Sequence, residues 1–464
     1  MHQINRISVA LFVVVVIAVP AFAQVREDNV RAQLNFLASD ALQGRGSGTV
    51  YERIAAEYMG AQFRQFGLEP GGDSDGAGNK SFVQRVALES SKFTETPLLT
   101  VIDGTNRHHW EFGRDFLVSF LSSPKISGDL QVVEPEGTFR KDAIVAVKLP
   151  AGASQQQRQE AVRKARTSDS AAVILIETEA NQKTREAGNV RLPNLPPRVG
   201  GNPASQFAVI SLRKDALDTL LAMPSSAKVH FEGATEAGDA SATWNAIGVL
   251  RGSNPNEAIV LSAHLDHLGV NDALTGDKIF NGADDDASGC VAVLELARVL
   301  AAGKRPRRTV YFIGFGSEER GGFGSRHFIA NPPLPLTQIV ADVHFEMLGR
   351  PDAKVPSGLW LTGYERSDLG AQLVKQGASL VADPRPEQSF FQRSDNYAFA
   401  LRGVIAHTVS SFGMHTDYHR PSDDASKIDF PFMTRSINSL VKPIRWLANS
   451  KFRPAWLPGQ APTR

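Results

Sequence analysis

The 464-residue chain carries 50 Lys and Arg against 49 Asp and Glu, a formal net charge of +1, and no basic block accompanies it, which argues against nucleic acid as the main partner. With 42% hydrophobic and 21% charged residues the composition is that of an ordinary globular protein with room for two domains. A single cysteine, Cys290, excludes an internal disulfide, and its place in an apolar stretch predicts a packed core residue.

Residues 1–23 read as a processing segment. His2 and Arg6 start it, residues 9–19 form an apolar core too short to span a bilayer comfortably, and Ala21-Phe-Ala23 matches a small-x-small cleavage pattern. Export, cleavage after Ala23 and a periplasmic or secreted product free of the membrane are expected. The first part of a catalytic domain is expected over 24–119. It opens with helices over 30–37 and 50–66, separated by the glycine-rich loop 38–48. Over 120–239 the pattern changes to short apolar runs at 130–133, 143–148, 171–176 and 207–211, with one helical stretch at 156–166. No cluster there could do chemistry, so the segment reads as a β-rich accessory domain, and the sequence names no partner for it.

From 240 to 452 strands and helices alternate, before a Pro-rich tail over 453–464. Strands are expected at 244–250, 258–263, 309–315, 339–346, 358–362 and 404–409, and helices at 291–302, 369–376 and 432–448. This pattern predicts an α/β fold with a mainly parallel mixed sheet and helices on both faces. Ligand groups in such sheets gather where the strands end.

Polar clusters fall at those ends. His264 and Asp266 follow one strand, and the loop after them closes on Asp284-Asp-Asp286, with Ser288 placed to cap the next helix. Glu318-Glu319 follow a second strand, Glu346 ends a third, and Tyr418-His419 come after the last. Three adjacent carboxylates repel unless something positive sits between them. His264, Asp285, Glu319, Glu346 and His419 make two imidazoles and three carboxylates, with Glu318 left over. Nitrogen with carboxylate oxygen suits zinc, and a carboxylate-rich set suits a pair of ions sharing one bridging group. Ser394, Asp395 and Phe399 are candidates for a substrate pocket or for ordinary loop and helix duty.

The wording around these positions resembles the co-catalytic dizinc exopeptidases typified by bacterial leucyl aminopeptidase, aminopeptidase Y and glutamate carboxypeptidase. The matching stretches are Ala263-His-Leu-Asp-His-Leu-Gly269, Gly282-Ala-Asp-Asp-Asp-Ala-Ser-Gly289, Ser317-Glu-Glu-Arg-Gly-Gly-Phe-Gly-Ser325, Glu346-Met-Leu-Gly-Arg350 and Asp417-Tyr-His-Arg-Pro-Ser-Asp423. The resemblance implies a zinc-exopeptidase fold of the phosphorylase/hydrolase-like kind, with the middle segment similar to a protease-associated domain. It implies two zinc ions, one held by His264 and Glu346, the other by Glu319 and His419, with Asp285 bridging. Asp266 would then orient His264, Glu318 would act as general base, and Tyr418 would stabilise the oxyanion. Two departures stand out: Glu346 where the family more often has Asp, and Asp286 where it usually has Asn.

The activity these residues imply is release of N-terminal residues from a peptide substrate. The alternatives are a carboxypeptidase, a glutaminyl-cyclase relative with one zinc, or a non-catalytic receptor-like module. Acids near the expected site (Asp284, Asp286, Asp395 and Asp417) outnumber a scattered Arg350, Arg393 and Arg420, which favours a cationic substrate end. Gly72-Asp-Ser74-Asp-Gly76 matches a serine-nucleophile pattern but lacks the flanking strand and helix that motif needs.

Overall fold

The computed structural model describes residues 24–462 apart from 189, 194, 196–197 and 200–205. The expected processing segment therefore lies outside the described residues. The chain divides into two compact units, one of Met1–Val86 with Thr243–Arg464 and the other of Ala87–Ala242. The accessory unit thus begins at 87 rather than 120. One of its early strands is not an apolar run. Residues 106–111, Asn-Arg-His-His-Trp-Glu, form a strand with only Trp110 buried.

In the first unit α1 (Glu27–Leu37) and α2 (Val50–Gln65) precede the sheet. Thr49 caps α2, accepting the N–H of Glu52. The strands are β1 (Val83–Glu89), β2 (Ser241–Leu250), β3 (Asn254–His264), β4 (Arg308–Phe315), β5 (Ile339–Phe345), β6 (Leu359–Leu361), β7 (Leu380–Ala382) and β8 (Ala406–Ser410). They lie in the order β1-β2-β4-β3-β5-β8-β6-β7. The central four, β4, β3, β5 and β8, are parallel. β2 runs against β4, and β6 runs against β8. The sheet is mixed with a parallel centre, as the alternation predicts.

Both faces are covered, and β3 shows why its second half, from Ala258, is almost wholly apolar. Ile259, Leu261 and Ala263 enter the core shared with α1, α2, α3 (Gly289–Ala301) and the C-terminal helix Phe430–Asn449. Ala258 and Val260 enter a second core with Phe328, Ile329 and Phe399. A strand buried on both sides has no polar alternation to show. Each fully buried aliphatic or aromatic side chain contributes about 1.5–3 kcal/mol, so this strand is held firmly up to its last residue, His264.

The second unit has its own sheet, in which 125–133, 144–147, 172–176 and 208–212 are successive parallel neighbours. Its core gathers Phe116, Leu130, Ile144, Ile174, Ile210 and Phe231. No helix among the described residues is long and apolar enough to cross a membrane. Residues 73–81 form an exposed turn, Asp75 accepting from the backbone and side chain of Asn79, so Ser74 has no nucleophile-elbow setting.

Candidate metal centre

The backbone separates the three consecutive aspartates instead of gathering them. Asp284 turns to one side, where its Oδ1 accepts the Gly349 N–H at 2.7 Å and its Oδ2 lies 3.0 Å from His415 Nε2. Asp286 turns to the sheet, accepting the N–H groups of Gly289 (2.9 Å), Met347 (3.1 Å) and His264 (3.2 Å). Burial, reinforced by Glu346 and Asp285 against the pull of His264, drives Asp286 well above the usual carboxylate range. It ties together the ends of β3, β5 and α3. The extra carboxylate noted in the sequence therefore meets backbone amides rather than imidazoles. Asp285 is the one that faces His264 and His419, with Oδ1 3.1 Å from His264 Nε2 and Oδ2 3.3 Å from His419 Nε2.

Two small residues serve this turn in ways the pattern did not reveal. Ser288 does not cap α3. Its hydroxyl gives its hydrogen to the Asp284 carbonyl and accepts the Leu348 N–H, tying the turn to the chain after β5. Gly289 lies against the Phe345 carbonyl and the Asp286 carboxylate, and a Cβ there would overlap both.

The other groups arrive from neighbouring strand ends. Glu319 Oε1 lies 3.2 Å from His419 Nε2. Glu346 follows β5, and with Tyr418 it lines an adjoining cleft. The Tyr418 ring stacks on His419 with centroids 3.9 Å apart. Three loops use left-handed backbone at non-glycine residues beside these groups: Ser317, Met347 and His419, with φ of 54°, 55° and 55°. Each such residue costs about 1–3 kcal/mol and persists only where the surroundings fix it. Asp266 does most of that fixing for the glutamate loop. Its carboxylate accepts the N–H groups of Glu318 (2.9 Å) and Glu319 (3.3 Å) and the Ser47 hydroxyl. The His264 Nδ1 meets the Asp266 backbone oxygen at 3.2 Å, closer than the carboxylate at 3.7 Å.

The donor set fits a cation. His264, Asp285 and Glu319 each offer a ligand atom within 4.8 Å of the others'. The Nε2 atoms of His264, His267 and His419 are buried without a hydrogen-bond partner among the described residues. Buried polar atoms left so cost about 1–3 kcal/mol each. The electrostatics agree. Burial alone would lower the His264 imidazole, yet Asp266 and Asp285 outweigh it and lift it well above its usual range. His419 is likewise pushed up to about 10 by Asp285 and Glu319 against burial. Burial raises Asp285, but His264 and His419 hold it well below the usual range. Glu318 is raised well above its usual range, by burial and by Asp395, Glu346 and Glu319 despite His264. This cluster holds positive charge readily.

Sequence reasoning missed several contributors. His267 is fully buried, and its Nδ1 lies 3.0 Å from Glu319 Oε1. A second imidazole three residues after His264 was the available signal. Arg45, 1% exposed, has no carboxylate partner among the described residues and instead donates to the carbonyls of Leu37, Leu265 (2.9 Å), Asn281 (2.7 Å) and Gly282 (3.0 Å). It binds the N-terminal loop to the end of β3 and to the aspartate turn. Glu52 of α2 accepts from Thr243 Oγ1 (2.6 Å) and Ser317 N (2.8 Å), and burial pushes its carboxyl up to about 8. Asp423 accepts the N–H groups of Asp284 and Asp285.

The expected surplus of acids is not free to meet a substrate. Asp284 and Asp286 are engaged as above, Asp395 accepts from Ser325, and Asp417 pairs with Arg350 at 2.7 Å. Phe399 is fully buried in the second core, so neither it nor Asp395 lines the cleft, which takes Arg393 from that segment.

Residues 245–442 match the model of Peptidase family M28. An aminopeptidase of Pseudomonas aeruginosa strain UCBPP-PA14 is 34% identical over 133 residues, 28% of this chain and 22% of that protein. Leupeptin-inactivating enzyme 1 of Streptomyces exfoliatus is 32% identical over 111 residues, 24% of this chain and 23% of that one. The chain thus spans less than a quarter of the length of these curated relatives. Among solved structures, an aminopeptidase from Aneurinibacillus sp. strain AM-1 has a TM-score of 0.53 at 20% identity, covering 96% of this chain and 98% of that one. BSAP, a zinc aminopeptidase from Bacillus subtilis, has a TM-score of 0.51 at 16% identity, with coverage of 93% and 97%. At these identities the likeness shows the shared fold.

Proposed function

We propose, from the match of residues 245–442 to the model of Peptidase family M28, that the protein is an exported zinc metallopeptidase that releases N-terminal residues from peptides. The observation that carries this reading is Asp285, set between the imidazoles of His264 and His419, whose Nε2 atoms make no hydrogen bond among the described residues. His264 and Glu346 would hold one zinc ion, Glu319 and His419 a second, and Asp285 would bridge them. Zinc there would supply Lewis acidity, polarising the scissile carbonyl and acidifying an attacking water.

The remaining steps belong to the chain. Glu318 lies beside the ligand set without a basic partner among the described residues, which suits it to take the proton of the water and return it to the leaving amine. Tyr418, stacked on His419, would donate its phenolic hydrogen to the developing oxyanion. Asp266 keeps Glu318 and Glu319 in register through their backbone N–H groups. The names of the relatives favour the aminopeptidase direction. The unit of Ala87–Ala242 is assigned as a protease-associated domain.

Hydrolysis of aminoacyl-p-nitroanilides before and after chelation tests this directly. Turnover that requires zinc and stops when the amine is acetylated is the expected result. Turnover of acetylated peptides with a free C-terminus required would reverse the direction. One zinc per chain in active protein would favour the glutaminyl-cyclase alternative.

A further inference from the structure

The cleft beside Glu346 and Tyr418 is walled by Trp360, Phe390 and Phe412, with Arg393 also lining it. Trp360 stacks on Phe390 with centroids 5.4 Å apart, and Phe390 meets Phe412 edge-on at 6.0 Å. These walls suit the apolar stem of a side chain. The polar groups among them are unevenly spent. Thr408 Oγ1 donates to Asn396, while Ser410 Oγ donates to the Met347 carbonyl and accepts from Phe412 N.

The donors left over all point to one chemistry. Trp360 is 1% exposed, yet its indole Nε1 has no partner among the described residues. Indole N–H can only donate, and a buried one normally finds an acceptor. The Thr362 hydroxyl, 1% exposed, accepts the Thr408 N–H, which leaves its own hydrogen to give. Arg393 is exposed, lies over the Phe390 ring at 5.0 Å, and has no carboxylate partner among the described residues, whereas nearby Arg350 is neutralised by Asp417. The one carboxylate lining the cleft is Glu346, whose charge the metal takes up under the function proposed above.

We infer that this cleft receives the side chain of the substrate's N-terminal residue and selects one ending in a carboxylate, glutamate ahead of glutamine and both ahead of leucine. The inference rests on the aminopeptidase reading for its placement of the scissile bond. The aromatic walls take the two methylenes, Trp360 Nε1 and the Thr362 hydroxyl supply hydrogens to either glutamate or glutamine, and Arg393 adds a charge only glutamate can answer.

The test compares Glu-, Gln- and Leu-p-nitroanilide on the zinc-loaded full chain, and binding of free glutamate and leucine to the zinc-loaded Glu318→Gln protein, followed by calorimetry. The expected kcat/KM for Glu exceeds that for Leu by about tenfold or more. Arg393→Leu lowers the Glu-to-Gln ratio by a similar factor. Trp360→Phe keeps the ring and lowers Glu and Gln together relative to Leu. Leucine turned over faster and bound more tightly than glutamate in the wild type would overturn the inference, as would ratios unmoved by both substitutions. Glutamate binding that depends on Arg393, with no free-amine substrate turned over, would uphold the cleft's selectivity and sink the aminopeptidase reading instead.

Discussion

Strands β3 and β4 run side by side, and each of their two ends carries a charged cluster. At the amino end, Glu257 accepts from Arg307, from Arg308 at 2.9 Å and from Arg453 at 3.1 Å. Arg308 gives its remaining hydrogens to the carbonyls of Leu447 (2.7 Å) and Phe452 (2.6 Å). Each of these side chains is hydrogen-bonded within the chain, the three guanidiniums sharing one carboxylate. At the carboxyl end the opposite holds: carboxylates crowd imidazoles whose Nε2 atoms have no hydrogen-bond partner among the described residues. A closed cluster of this kind holds a sheet together, whereas an open one is built to receive an ion. The difference is whether the side-chain donors and acceptors find partners among the described residues.

Mutations should divide along that line. Asp285→Asn removes the group between the two imidazoles, so zinc affinity and turnover should each fall by more than about 100-fold, since even outer residues at metal sites cost 10–100-fold. Dialysis followed by metal analysis checks it, and a variant that keeps its zinc and its activity would break the contrast. Glu318→Gln should leave the metal in place and lower kcat by about 10²–10⁴-fold. Equal metal loss in Glu318→Gln and Glu319→Gln would show the two roles to be misassigned.

Arg45→Met probes the scaffold under the open cluster. It leaves four buried carbonyls without their shared donor, and about 3 kcal/mol or more of stability should go. Urea unfolding of metal-free protein measures this without the ion's own contribution. A loss under about 1 kcal/mol would mean that water replaces the guanidinium. His267→Asn should preserve the fold and weaken zinc binding by about tenfold, because its contact with Glu319 supports a proposed ligand.

How much of this could be read in the sequence follows from what each feature depends on. Residues 258–263 of β3 and 309–315 of β4 are near-continuous apolar runs, β5 is one broken by Asp342 and His344, and residues that follow such runs inherit a known position, so His264, Glu318, Glu319 and Glu346 were legible. Asp285 was legible as one of three aspartates, but which one faces the histidines depends on backbone turns that spacing does not encode. Arg45 and Glu52 were invisible because their partners, Gly282 and Ser317, lie more than 200 residues away. The boundary at 87 was missed because the strand over 106–111 is the edge of its sheet and buries only Trp110, so it shows no apolar run.

The smallest expected effect lies at the closed end. Burial would raise Glu257, but Arg307 and Arg308 hold its carboxyl at about 2, below the ordinary 4.5. A carboxylate lowered on folding stabilises above the unfolded value and loses that contribution as pH falls toward the folded one. The melting temperature of the wild type should therefore exceed that of Glu257→Gln at about pH 6, and the gap should narrow as pH drops below about 4.5. A gap independent of pH would mean that packing, not charge, makes this end stable.

The central claim is that the open cluster exists to hold metal, and zinc titration of chelated protein tests it most directly. Followed by melting temperature and by peptide turnover together, the titration should reach its plateau at about two zinc ions per chain, with both signals rising. Full turnover in metal-free protein, or no rise in melting temperature on adding zinc to protein whose Glu257 cluster is intact, would contradict it.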